Sequence, residues 1–411
     1  MNEVPGTIGH PAAPDVRGAR TSVRHRLSAR WQVGVERAKQ FFELPGCNRR
    51  IRAIADCPKR GPALARDLLI WFFDYKTFPG HYGLSRLWEV DRAEWTYYYG
   101  SNYDPHQKTK LKRFVEPLEY RILFNDKYLC VLVCEALGIR VPRTRGTVDP
   151  AHDYRAAIAS WLGQSPAGKL IVKPLLGEMG RDIVTVEPGD EGPVVRTPLG
   201  TVPLSGFILR ERSIVQDVLA QDPRVAAFSP SSVNTFRVVT MMTPQDEVII
   251  VNASFRSGVG GGLVDNWSAG GVSVGVDVSK GTLKTFAYDK KSNRYAAHPT
   301  SGIVFAGFRI PEWERIKAMA TAVQSALPFY RLMGLDLALD RDGAPVLIEI
   351  NGAPDLAGLE QKAGPLLKDP RVLRAFGEYG LLVNRHQRKA FAALPPRDPT
   401  GAPLQAKPEG S

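Results

Sequence analysis

Three oxygen-bearing side chains near the C-terminal end of the chain have the spacing of a metal site. Glu349 and Asn351 lie two apart in an apolar run, APVLIEIN, and Asp336 lies in the preceding run, MGLDLALD; the two runs are separated by Asp-Arg-Asp-Gly. They read as two strands closed by a hairpin turn. Alternate side chains of a strand share a face, so Glu349 and Asn351 project to one side while Leu347, Ile348 and Ile350 are left for packing. A hairpin brings Asp336 to the same place. The set is hard oxygen with no sulfur, which suits one or two Mg²⁺ ions held by a few carboxylates and by phosphate oxygens.

Cationic residues that complement such a site recur upstream. In ILFNDKYLCVLVCEALGIRVP, Asn125 or Asp126 caps a helix over about 127–137, and Lys127 stands at its positive end, where an anion would relieve the repulsion. In KLIVKPLLGEMGRDIVTVE a strand ends at Lys173-Pro174, a loop with Gly177 and Gly180 follows, and a second strand over 182–187 returns. Glycines let backbone N–H groups approach a phosphate, and a strand-end lysine supplies a point charge. No Gly-Lys-Ser/Thr opens a helix here, so this is a phosphate-covering hairpin rather than a Walker A loop. A strand over 207–219 carries Gln216, Asp217 and Val218; strands over 235–243 and 247–255 carry Arg237 and lead to Arg256. A guanidinium buried on a core strand needs a carboxylate or phosphate partner. The glycine-rich segment after Arg256 contains Asp265 and Asn266, candidates for metal or substrate contact.

The elements that must position these groups follow from the rest of the chain. Its 411 residues, 44% hydrophobic and 23% charged, are an ordinary globular balance for two or three domain-sized units. The net charge of +12 suits a phosphate-rich ligand or an anionic surface. It is scattered and lacks a recognised nucleic-acid-binding module, so no nucleic-acid role is expected. No apolar run is long enough to span a membrane, and the missing secretory signal leads to an expected cytoplasmic location. Four cysteines without a CxxC pair exclude a disulfide framework or a zinc site, and Cys130 and Cys134, one turn apart, fill a helix face. Residues 1–25 read as a disordered basic arm and 26–111 as a helical N-terminal domain. Within that domain a helix runs over about 27–44. Residues 62–78 form a buried helix or, alternatively, a partner or membrane-surface contact. Tyr97, Tyr98 and Tyr99 cannot all face one way, so some are expected at the surface. A helix over about 311–327 starts with Pro311, Glu312 and Glu314; Glu360, Gln361 and Lys362 follow the metal hairpin at the same end of the sheet; and 385–411 reads as a disordered tail.

The ordered set of helix-start lysine, Lys-Pro strand with glycine loop, Gln-Asp-Val-Leu strand, strand arginine and Asp…Glu-x-Asn hairpin resembles the ATP-grasp superfamily. NTFRVVT, VDNWSAGG, HPTSG, GFRIPEW and GLDLALDRDGAPVLIEINGAPDL resemble its sugar-transfer-associated group, related to α-L-glutamate ligases, over about 112–380. The resemblance implies an α+β ATP-grasp fold over 112–384, with a small lid subdomain at about 140–218 and a metal-binding subdomain at 219–384, preceded by the helical region. It implies ATP and Mg²⁺ as cofactors. Lys127 and Lys173 would hold the α and β phosphates under the Gly177–Gly180 loop, and Gln216, Asp217 and Val218 would seat adenine. Asp222 would contact the ribose. Asp336, Glu349 and Asn351 would bind Mg²⁺, Arg237 and Arg256 would face the γ-phosphate, and Asp265 with Asn266 would touch the substrate. The implied activity is ADP-forming ligation of a small-molecule carboxylate to an amine, the acceptor a glycan precursor or peptide conjugate. The alternatives are phosphoryl transfer to a hydroxyl, or a nucleotide-binding scaffold. The oligomeric state is left open.

Overall fold

A computed structural model describes residues 23–397 other than 55, 178–180, 198 and 262–269. Gly180, Asp265, Asn266, the arm before residue 23 and the tail beyond 397 therefore lie outside the described residues. The first quarter is built from α1 (Val23–Phe42), α2 (Leu44–Arg52), α3 (Gly61–Phe73), α4 (Gly80–Leu84) and α5 (Pro105–Phe114), with short 3-10 helical pieces between the last two. Pro62 opens α3, whose Leu64, Leu68, Trp71 and Phe72 are buried at helical spacing. Leu64, Leu68 and Trp71 pack with Tyr82, Trp95 and Tyr98 into a core separate from the rest. Within it the Asp67 carboxylate accepts from Lys59, from Arg92 at 2.6 Å and from the Tyr82 hydroxyl at 2.8 Å, so the buried charge is fully partnered.

The tyrosine triplet departs from expectation. None of the three is exposed: Tyr98 fills the first-quarter core, Tyr99 fills a core shared with the C-terminal helices, and Tyr97 packs half-buried on the second. Consecutive residues of extended backbone point to opposite sides. Here both sides are protein.

Next come α6 (Ile122–Asn125) and α7 (Lys127–Ala136), then a six-stranded antiparallel sheet. Its members are β1 (Thr144–Val148), β2 (Leu170–Pro174), β3 (Val184–Glu187), β4 (Val194–Thr197), β5 (Gly200–Pro203) and β6 (Ser213–Asp217), in the order β1-β6-β2-β3-β4-β5. Helix α8 (Tyr154–Gly163) covers one face through Ile158 and Leu162 against Leu170, Val172 and Val215. The strand expected over 207–219 is confined to 213–217. Before it the backbone is satisfied by α8 instead of a ladder: Tyr154 and Arg155 donate to the Phe207 carbonyl, and the Leu209 N–H donates to the Tyr154 hydroxyl.

After α9 (Pro223–Ala226), a second antiparallel sheet contains β7 (Thr235–Met242), β8 (Val248–Ser257), β9 (Val272–Asp277), β10 (Thr282–Tyr288), β11 (Arg294–Tyr295), β12 (Leu332–Leu339) and β13 (Pro345–Asn351), in the order β11-β10-β9-β8-β7-β12-β13. Helix α10 (Trp313–Ala326) packs Ile316, Ala320 and Val323 on one face, against Phe236, Val238, Leu335 and Leu337. It starts later than expected, because Glu312 takes a left-handed conformation (φ 53°) ahead of the first turn. On the opposite face α11 (Leu356–Ala363) and α12 (Pro370–Glu378) cover Val239, Met241, Val251 and Leu332.

The expected disordered tail begins with order. Helix α13 (Arg385–Ala392) is capped by Asn384, which accepts from the Gln387 N–H at 2.9 Å. Gln387 is buried and donates to the Tyr98 carbonyl at 3.1 Å, fastening this helix to the first quarter. The boundary of the tail is corrected accordingly.

Candidate active site

The centre of the site is one rung across the seven-stranded sheet. Ser254 on β8 pairs with Arg237 on β7, Arg237 with Asp336 on β12, and Asp336 with Glu349 on β13. Directly opposed residues of neighbouring strands share a face, so the four side chains form a row. Arg256 and Asn351 lie two residues along from Ser254 and Glu349 on that face. The row continues the face that α11 and α12 bury elsewhere, and at this end apolar packing gives way to charge. Two local features set the spacing. The register of β12 with β13 shifts between Asp336 and Leu337, so Ile348 is an extra residue that aims Glu349 at Asp336. Gly334 leaves room for Arg237, whose Cδ would lie 3.1 Å from a Cβ there.

Arg237 grips Asp336 with Nε on Oδ1 and Nη2 on Oδ2, the latter at 2.7 Å, and Arg256 Nη1 reaches Oδ2 at 3.3 Å. Burial alone would raise the Asp336 pKa, but the two guanidiniums outweigh it and hold the carboxyl below the usual carboxylate range. The arginines thus meet a carboxylate of the metal set in this structure.

The opposite wall comes from the six-stranded sheet. Leu170 and Val172 face α8, which turns Ile171 and Lys173 the other way. Lys173 Nζ donates to Gln216 Oε1 at 3.1 Å, and Gln216 Nε2 to Thr144 Oγ1 at 3.1 Å. Lys127 begins α7, as expected. Asp126 caps the helix by accepting from Tyr128 and Leu129 N–H at 2.9 and 3.0 Å. The Lys127 N–H donates to the Leu175 carbonyl at 3.1 Å, and its Nζ donates to the Gly177 carbonyl, so helix and loop are tied.

Between these walls lies a cavity of about 730 Å³ lined by Lys127, Lys173, Gly177, Gln216, Asp217, Val218, Arg237, Arg256, Asp336, Glu349 and Asn351. That is in the size range of a pocket for a nucleotide-sized ligand. Asp217 turns its carboxylate to Arg145, accepting from Nε and Nη2 at 2.9 Å each, so only its backbone is left for a ligand. Asp222 does not line the cavity. It caps α9 and pairs with the Arg224 guanidinium at 3.0 and 2.6 Å, a structural use of the carboxylate. The Asp-Pro pair opening α9 was the available signal.

Sequence reasoning underrated two groups. Lys362 on α11 lines the cavity, and burial pushes its amine down to about 7, against the pull of Asp355 and with help from Arg256 and Arg237. His298, from HPTSG, is buried. Its Nε2–H is directed at the Gly258 carbonyl at 2.9 Å and lies 3.1 Å from Ser257 Oγ, while Nδ1 accepts from Thr300 and Ser301 N–H at 3.3 and 3.2 Å. Only the neutral ring satisfies these contacts, and burial holds its pKa below the usual histidine value. It fixes the backbone immediately after Arg256. Glu360, expected near the ligand groups, instead accepts from the N–H groups of Tyr99, Gly100 and Leu366, at 2.7, 3.0 and 3.2 Å.

The sequence profile of the sugar-transfer-associated ATP-grasp family matches residues 106–370. The chain belongs to this family. Two antiparallel sheets facing each other across a cavity, behind a helical N-terminal region, are its ATP-grasp fold. Solved structures similar to this ATP-grasp chain include D-alanyl-alanine synthetase A from Vibrio cholerae (14% identity, 71% of this chain and 75% of that one, TM-score 0.41). Others are the VanG D-Ala:D-Ser ligase from Enterococcus faecalis (17%, 62% and 61%, 0.38) and the ATP-grasp ligase PsnB complexed with minimal precursor, Mg and ADP (14%, 65% and 62%, 0.37). The matched part thus spans less than two thirds of the PsnB chain. No curated protein sequence matches the chain significantly.

The donor set is compatible with Mg²⁺. Among the described residues no group of three or more His, Cys, Asp or Glu forms a metal cage. Asp336, Glu349 and Asn351 offer two carboxylates and an amide oxygen, and Asp336 is kept ionised. A cation that takes only one or two carboxylates and completes its shell with water and phosphate oxygens fits this arrangement.

Proposed function

We propose that this chain is an ATP-dependent carboxylate–amine ligase that works through an acyl phosphate, in the cytoplasm, during the making or decoration of a cell-surface glycan or peptide conjugate. The convergence of Lys127, Lys173, Arg237, Arg256, Asp336, Glu349 and Asn351 on one cavity supports this reading most directly. The family's description as sugar-transfer-associated supports the glycan connection.

In this reading Lys127 and Lys173 hold the α and β phosphates beneath the 177–180 loop, and the backbone of 216–218 meets the adenine. Asp336, Glu349 and Asn351 would hold Mg²⁺, which supplies charge neutralisation at the β and γ phosphates. The substrate carboxylate docks by Arg256 and Lys362, and its oxygen attacks the γ-phosphorus as the bond to ADP breaks. Arg237 and Arg256 stabilise charge on the transferred group. The amine then attacks the acyl carbon, phosphate leaves, and the nitrogen gives up a proton. Asp265 and Asn266 contact the acceptor. No protein nucleophile takes part; positioning and electrostatics carry the rate.

The test is nucleotide release from MgATP with pooled amino acids and sugar acids. ADP with free phosphate, dependent on a carboxylate and lost in Asp336→Asn and Glu349→Gln, is the expected result. ATP consumption with a phosphorylated alcohol and no free phosphate would replace the ligase by a phosphotransferase. AMP with pyrophosphate would sink the acyl-phosphate route, and binding without turnover would leave a scaffold.

A further inference from the structure

Helix α1 is apolar on a side that none of the described residues covers. At 100° per residue, Val33, Arg37 and Gln40 fall on one side, and Trp31, Val35, Ala38 and Phe42 on the other, about 160° away. The first side packs inward: Arg37 stacks on the Phe72 ring at 3.5 Å, and Gln40 Nε2 donates to Asp104 at 3.3 Å. The second carries Trp31 at 74% exposure and Phe42 at 80%. Phe73 (59%) and Leu69 (43%) of α3 extend the face, joined to it through Phe41, whose ring lies 6.0 Å from Phe73 and 6.1 Å from Phe42. Scattered surface apolar residues need no explanation. A contiguous aromatic cluster on two helices does.

Charge identifies the occupant. Residues 23–52 hold eight Lys and Arg against two Glu, half of the chain's net +12. The expected basic arm is not the source, since Arg17 and Arg20 in residues 1–22 are balanced by Glu3 and Asp15. Arg30 and Lys39 flank the aromatic stripe on α1, and Arg49, Arg50 and Arg52 on α2 are exposed. A second copy meeting this face symmetrically would set the same positive charge on both sides. An anionic bilayer offers apolar depth for Trp and Phe and negative headgroups for the surrounding arginines. We propose that the α1–α3 face docks the protein peripherally on an anionic membrane surface.

The full-length protein is sedimented with vesicles of phosphatidylcholine, with and without about 30% phosphatidylglycerol. It is expected to pellet with the anionic vesicles only and to be released by about 0.5 M salt. Trp31→Ser with Phe42→Ser weakens binding about tenfold or more. Both side chains are exposed, so circular dichroism of the variant stays native. As an independent readout, tryptophan emission shifts to the blue on anionic vesicles in the native protein and not in Trp31→Phe. Failure to bind anionic vesicles, or equal binding by the double variant, overturns the proposal. So does a concentration-dependent dimer abolished by the same substitutions, which would assign the face to a second copy.

Discussion

The two walls of the cavity are made of unlike material. The floor is a seven-stranded sheet in which every residue of β7 and β12 is buried, helices cover both faces, and the charged row is part of the weave. The opposite wall is a sheet of four- and five-residue strands whose outer member β5 is exposed throughout, with one helix behind it. Groups in the floor therefore serve stability and chemistry together. Groups in the wall meet a ligand at little structural cost, which suits the nucleotide-covering role proposed for it.

The sharpest way to break this contrast is Asp336→Asn. It leaves Arg237 and Arg256 facing a neutral group in a buried setting, so stability falls by roughly 3–5 kcal/mol and ATP turnover drops by about three orders of magnitude. Glu349→Gln is expected to lose turnover comparably with a much smaller fall in Tm. Equal Tm losses in the two variants would show that the arginine grip is not special.

Lys362→Met probes the floor by pH. The folded amine titrates near 7, against an ordinary lysine value of 10.5 in the unfolded chain. Between those values the unfolded state binds more protons, so wild-type stability rises with pH across that window. Below it the buried charge is a penalty of a few kcal/mol. The variant is expected to be more stable than wild type at pH 6, with the gap closing by pH 10; parallel Tm curves would refute the shift.

A smaller effect is expected from the wall. On the proposed reading Lys173→Ala removes one phosphate-binding charge and raises the KM for ATP about 10–100-fold, with Tm nearly unchanged, as isothermal binding and thermal melts together will show. Least of all, Asp222→Asn loses part of a cap and an ion pair for about 1 kcal/mol and leaves nucleotide binding alone. A rise in KM would restore this residue to the ribose.

What was legible beforehand follows the same division of local from distant. Asp126 capping α7, the hairpin carrying Glu349 and Asn351, and Arg237 on its strand are set by neighbours in sequence, and periodicity and turn chemistry reveal them. Tyr98 and Tyr99 were misread because their surroundings come from residues far along the chain, on two sides at once. Two of the three partners of Glu360, the Tyr99 and Gly100 N–H groups, are some 260 residues away, beyond any local pattern. Asn384 is a different failure: it stands at a helix start with a recognisable capping signal, as Asp222 does, and the ordered helix after it follows from that cap.

The grip of Glu360 on the Tyr99 and Gly100 amides has a consequence for anyone who would take this protein apart. The matched family segment begins at residue 106, which invites trimming everything before it. Such a cut would strand a buried carboxyl group on the helix that carries Lys362 and would strip Gln387 and Asn384 of the carbonyls they hold. The first quarter is not luggage carried by a portable catalytic unit. It is a buttress, and swapping modules between relatives will work only where the splice is made ahead of it.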